Sequence, residues 1–175
     1  MLATATSPDG NIQARIRGAE DIEVTFRPGA FDRYDEAGLC HQLERLGALC
    51  WVAFDRVRTE EHRRALNLSA EELAAAERYP RDERRQRYDA DLAAVEADGV
   101  APGGEVRIHA WGLLRWRLSL EPGVTRRLGE ARFVAELNGA IRALFADRMV
   151  RITMIKAAHY DLGVPRRWRE LLDAG

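Results

Sequence analysis

The side chains in this sequence best able to do chemistry are four histidines, two cysteines, a few paired acids and a large set of arginines. His41, His62, His109 and His159 fall into neither an HExxH nor a CxxC pattern. Cys40 and His41 are adjacent, so they diverge on a helix, and no metal site is expected. Cys40 and Cys50 on one helix stand about 15 Å apart, beyond the ~7 Å Cα separation a disulfide tolerates. Two buried thiols in a reducing cytoplasm are therefore expected. Asp35 and Glu36 open a helix, where negative charge favours the macrodipole by about 0.3–1 kcal/mol. That accounts for them without acid–base catalysis. Gly103-Gly104 opens a strand instead of a helix, so no phosphate-cradling loop follows. No nucleophile, base and orienting group come together by spacing. The expectation is no enzyme, no catalytic residue, no cofactor and no metal.

The cations offer a different chemistry, phosphate neutralisation with release of counterions. Arg56, Arg58, Arg63 and Arg64 gather near the end of a first long helix, and Arg126, Arg127, Arg142, Arg148, Arg151 and Lys156 lie along a second. Arg166, Arg167 and Arg169 follow in the tail. These positions are the candidate DNA contacts, although Glu60 and Glu61 dilute the first cluster and a solvated helix face explains such runs equally well. Trp116 belongs to the inward set of its strand, Trp111 to the opposite face, and Trp51 sits beside a helix seam. Buried area is the first role for such rings; Trp111 or Trp168 beside arginine is the alternative as a base-stacking platform.

Elements must position these groups, and composition bounds them. The 175 residues are 46% hydrophobic and 31% charged, enough for one or two small domains. No apolar run approaches the ~20 residues of a spanning helix, and Met1 to Asn11 has neither the basic nor the apolar region of a signal peptide. The net charge of −1 excludes a uniformly basic nucleic-acid binder. It is unevenly spread: residues 1–100 hold 14 Arg against 20 Asp and Glu, whereas 101–175 hold 13 Lys and Arg against 8.

An offset of 94 residues lays Gly10–Arg58 over Gly104–Ile152 without a gap. Gly10, Gly18, Pro28, Gly29, Arg33, Glu36, Ala37 and Leu43 then coincide with identical residues, and the matched Gly and Pro-Gly positions sit at turns. Within each copy the period changes at the same place. Ile12, Ala14, Ile16 and then Ile22, Val24, Phe26 alternate with polar residues, as do Val106, Ile108, Ala110 and Leu114, Trp116, Leu118, Leu120. Each copy thus contains a hairpin ended by Pro-Gly. Residues 2–6 add a leading strand to the first copy, while 99–104 offer much less for the second. A long helix follows each hairpin, with Leu39, Leu43, Leu46, Cys50, Ala53 and Val57 in one and Phe133, Leu137, Ile141, Leu144, Phe145, Met149, Ile152 and Ile155 in the other. Between them Ser69 to Glu72 fits a capping box. Helical segments are expected over Glu71–Arg78 and Arg81–Asp98, broken at Pro80, with a short helix over 164–172. The domain reading is 1–66 for the first unit, 67–100 for a helical connector and 101–175 for the second unit, an α+β architecture.

Ser7-Pro-Asp-Gly10, alternating strand, Gly18, alternating strand, Pro28-Gly29 and a long helix with Leu39 and Leu43 resemble the YbaB/EbfC nucleoid-associated family. The resemblance covers residues 2–66 well and 103–160 more loosely. It implies a three-stranded antiparallel sheet between two helices, a cytoplasmic location at the nucleoid, no catalysis, and binding to double-stranded DNA as a dimer. Two copies in one chain then form a fused pseudodimer, open to further self-association. The alternative is a protein-interaction module or chaperone-like accessory factor, since YbaB-like members are also associated with type VII secretion.

Overall fold

In β2 (Ile12–Ile16) the apolar residues at every second position all point inward, and Ile12 and Ala14 are almost completely buried. This period-2 burial is what a sheet with one covered face requires. The same logic builds β1 (Ala3–Thr6), β3 (Ile22–Phe26), β4 (Glu96–Val100), β5 (Val106–Trp111) and β6 (Arg115–Leu120). They form two three-stranded antiparallel sheets, ordered β1-β2-β3 and β4-β5-β6. The computed structural model describes residues 2–17, 21–72, 74, 82–112 and 114–160. Its helices are α1 (Glu36–Ala65), α2 (Glu83–Ala93) and α3 (Val124–His159), with a 3-10 turn at Phe31–Arg33. The chain is α+β.

The two sheets share one register at the 94-residue offset. Ala3 faces Ile16 and Ala97 faces Ala110; Ile12 faces Phe26 and Val106 faces Leu120. The turns repeat as well. Ser7 N–H donates to Ile12 O at 2.8 Å, and Ala101 N–H to Val106 O at 2.9 Å. After each third strand, Gly29 and Gly123 take positive φ values of 71° and 77°, which a side chain would resist. α1 begins at Glu36 and ends at Ala65; the offset carries these to Glu130 and His159, and His159 ends α3. Just before Glu130, Gly129 interrupts α3 with φ 70° and ψ 169°. The segment 124–128 is therefore the counterpart of the turn that precedes α1.

Each long helix covers strands of both sheets. α1 packs on β1, β2 and β6, and α3 packs on β4, β5 and β3. The result is one continuous core, in which Phe133 of α3 meets Phe26 and Phe31 of the other half at 6.4 and 5.3 Å between ring centroids. Small residues set the closest approaches. A Cβ on Gly47 would fall 2.6 Å from the Trp116 ring, so α1 rides directly over β6.

The leading strand of the second sheet corrects the sequence reading. The helix expected over Arg81–Asp98 ends at Ala93, and Glu96–Val100 is β4. Its inward residues are Ala97 and Gly99, too small and too poor in β propensity to mark a strand. They are small because α3 lies against them: a Cβ on Gly99 would sit 2.1 Å from the Ala140 carbonyl oxygen. Leu114, read as an inward strand residue, precedes β6 and is 58% exposed. The Ser69–Glu72 capping box forms, with the Glu72 carboxylate accepting from Ser69 N–H at 2.7 Å and the Ser69 hydroxyl from Glu72 N–H at 3.1 Å. The Pro80 break, Gly18 and the helix over 164–172 lie outside the described residues.

Candidate nucleic-acid interface and central cavity

The sequence-derived cations separate into three groups. Five are held in ion pairs, most of them with acids close in sequence. Arg58 reaches Asp55 at 2.8 Å, Arg63 and Arg64 both reach Glu60 at 2.7 Å, Arg127 meets Glu105 and Glu121 at 3.2 Å, and Arg151 meets Asp147 at 2.9 Å. Arg63 also donates to Leu68 O, closing the end of α1. The Arg63 bond, joined by that from Arg64 and by the charges of both, outweighs the opposing effect of burial and holds the Glu60 carboxyl down to about 2. Exposed pairs of this kind add little stability, but they reduce the positive field.

The second group is Arg56, Arg126, Arg142 and Lys156, all exposed and without an ion pair among the described residues. Arg142 and Lys156 are fourteen residues apart on α3, nearly four turns, and so share one face with Met149 midway between them. Arg148 stands alone in the third group. It turns toward the interior, where its guanidinium lies 5.6 Å from the Trp51 ring centroid. Its Nε is buried without a hydrogen-bond partner, and burial together with nearby Arg58 lowers its pKa. The tail arginines and Trp168 lie outside the described residues.

Arg148 borders a cavity of about 240 Å³ enclosed by β2, β3, β5, β6, α1 and α3. Nothing in residue type or spacing points to this space. Its walls are pairs of residues that the 94-residue offset relates: Ala14 with Ile108, Leu43 with Leu137, Trp51 with Phe145. Phe54 and Arg148 form one such pair, and there an aromatic ring faces a cation. Cys50 also lines the cavity, and burial pushes its thiol up to about 12. Cys40, raised to about 11 by burial and then by Glu44 and Glu36, is likewise a free thiol. Both stay protonated near neutral pH, which makes them poor nucleophiles.

Trp116 packs against the core and lines this cavity, in keeping with its inward position. Trp111 lies on the other face beside His109, with ring centroids 4.0 Å apart, and Arg115 stands 6.0 Å from its ring. His109 is engaged by Asp98 at 2.6 Å and by Glu96 at 3.6 Å, and His159 by Asp91, so two of the four histidines serve as partners of acids. Among the described residues, no three His, Cys, Asp or Glu side chains converge as a metal site needs. No helix among them is long and apolar enough to cross a membrane. No family model, curated protein or solved structure matches the chain.

Proposed function

We propose that the chain is a non-enzymatic, YbaB/EbfC-like protein that binds double-stranded DNA, with both units of a dimer fused in one polypeptide. The observation that carries this reading is the shared strand register: two three-stranded sheets with the same pairing, each followed by a helix of matched extent. The second unit runs α2-β4-β5-β6-α3, a three-stranded sheet between two helices, as the resemblance implies. Arg56, Arg126, Arg142 and Lys156 are the phosphate-contacting set, because their charges are not shared with a neighbouring acid.

Four such contacts give a slope of log affinity against log salt of about −3 to −4. Charge reversal at Arg142 and Lys156 together should weaken binding to a random duplex at least tenfold in a gel shift, at unchanged helix content. A flat salt response, or no binding at low salt, overturns the reading.

A second reading, the protein-interaction module or accessory factor, is favoured by the exposed apolar residues on the long helices. Leu49 and Val52 are 43% and 37% exposed on α1, and Met149 and Val150 are 57% and 53% exposed on α3. Single exposed residues of this kind are ordinary, but pairs on both helices give a partner something to cover. Loss of a co-purifying partner on Leu49→Glu, with DNA binding absent, would decide for it.

A further inference from the structure

The central cavity is apolar along its length and cationic at one end. Burial falls along both helices in the same direction: Leu43 and Leu137 are buried at the inner end, while Arg58 and the 57%-exposed Met149 stand at the outer end. The outer end is therefore the mouth. Arg148 lies there, with its Nε shielded from solvent and unpaired, and no carboxylate answers it among the described residues. Arg58 lines the same end but already holds Asp55. The mouth thus carries one positive charge with no carboxylate beside it, and the shielded Nε, on a guanidinium that otherwise meets only the Trp51 ring, is costly unless an acceptor reaches it.

We propose that this cavity binds a medium-chain fatty acid, its acyl chain between Leu43, Leu46 and Leu137 and its carboxylate on Arg148, with Arg58 at the rim. Three features select this occupant. The wall offers mainly apolar contact: inside the mouth, the polar groups of its side chains are the protonated Cys50 thiol and the indole N–H groups of Trp51 and Trp116. The single surplus charge matches a monoanion better than a dianionic phosphate ester, and a guanidinium fork suits a carboxylate. The volume also fits: with a methylene taken as about as large as a water molecule, ~30 Å³, the cavity of about 240 Å³ holds roughly eight carbons, leaving the carboxylate end of a ten-carbon acid at the mouth. The site lies in the interior and does not depend on the DNA reading, whose cations are exposed on the helices and do not line the cavity.

The test titrates the full-length chain with decanoate, decanol and decyl phosphate by calorimetry, each below its aggregation threshold. Decanoate should bind one per chain and at least tenfold more tightly than either of the others. Arg148→Met should weaken decanoate at least tenfold and leave decanol unchanged, while raising the melting temperature of the ligand-free protein, since it removes a half-buried cation whose Nε has no acceptor. Cys50→Phe, which fills the middle of the cavity, should abolish binding of decanoate and decanol alike; a thermal melt of each variant verifies that it folds. Absence of decanoate binding, equal affinity for decanoate and decanol, tighter binding of decyl phosphate, or undiminished binding by folded Arg148→Met would each overturn the proposal.

Discussion

In the first half, Ala5 of β1 sits half-buried against α1; in the second, the matched Gly99 of β4 lies so close beneath α3 that no side chain fits. The loops differ as well. Asp9 accepts hydrogen bonds from Ser7, Asn11 and Tyr34, whereas its counterpart Gly103 has no side chain to do so. Yet both turns are fastened to the helix in the same way, Asp9 N–H to Gln42 Oε1 at 3.3 Å and Gly103 N–H to Glu136 Oε2 at 2.8 Å. The backbone ladder and its ties to the helices are shared. The spacing between helix and sheet, and the side chains that fill it, are not.

That difference can be attacked where the halves depend on it most. Phe133 and Leu39 hold matched positions, and both are fully buried. Phe133→Ala should cost about 3–5 kcal/mol in chemical denaturation, and Leu39→Ala about 2–5 kcal/mol. Because Phe133 contacts Phe26 and Phe31 across the halves, its loss should lower the stability of both together, visible as one transition with an unchanged slope.

Next comes the exchange of the strand residues. Gly99→Ala should destabilise by about 1–3 kcal/mol through overpacking against α3, while Ala5→Gly should cost only about 0.5–1 kcal/mol. Equal effects would mean that the two helix–sheet spacings do not differ.

Copying the first half's helix start into the second should fail. α1 is capped by Asp35, whose carboxylate accepts from Gly38 N–H at 2.7 Å in ordinary extended backbone. The matched Gly129 has φ 70° and ψ 169°, a region that side chains avoid. Gly129→Asp should therefore lower stability by about 1–3 kcal/mol instead of adding a cap, as measured by urea unfolding.

The smallest effect is pH-dependent. Burial, the largest single influence, pushes the Asp9 carboxyl upward, but the bonds from Ser7, Tyr34 and Asn11 together outweigh it and hold the pKa at about 2. An unfolded aspartate titrates near 3.9. The stabilisation is thus fully present above about pH 4 and is lost as the pH falls toward 2. Asp9→Asn should flatten stability over that window alone, a shift read by denaturation at several pH values. The exposed site keeps the amplitude small.

Much of this fold was legible because its inward residues are large. β2, β3, β5 and β6 announce themselves through Ile, Val, Leu and Phe at period 2, and both long helices through their apolar seams. β4 was hidden because its inward residues are Ala97 and Gly99, whose size answers to a helix distant in sequence. Extending the 94-residue offset upstream from Gly10 would have found it, since Ala3–Thr6 falls on residues 97–100. The cations were legible as a list but not as a surface. Their pairing with Asp55, Glu60, Glu105, Glu121 and Asp147 depends on rotamers and turns that residue type alone does not specify. The cavity left no trace in the sequence, because its lining comes from six elements that only the folded chain brings together.

The Phe54–Arg148 pair has a consequence for how this interior could change over generations. Between two identical subunits, whatever lies at their junction meets the same residue from both sides and has two equivalent poses. Here a single reading frame spells the two sides separately, so the occupant we propose would have one head end, one tail end and one copy per polypeptide. Selection can adjust either end alone, a freedom denied to a gene that encodes only half of the assembly.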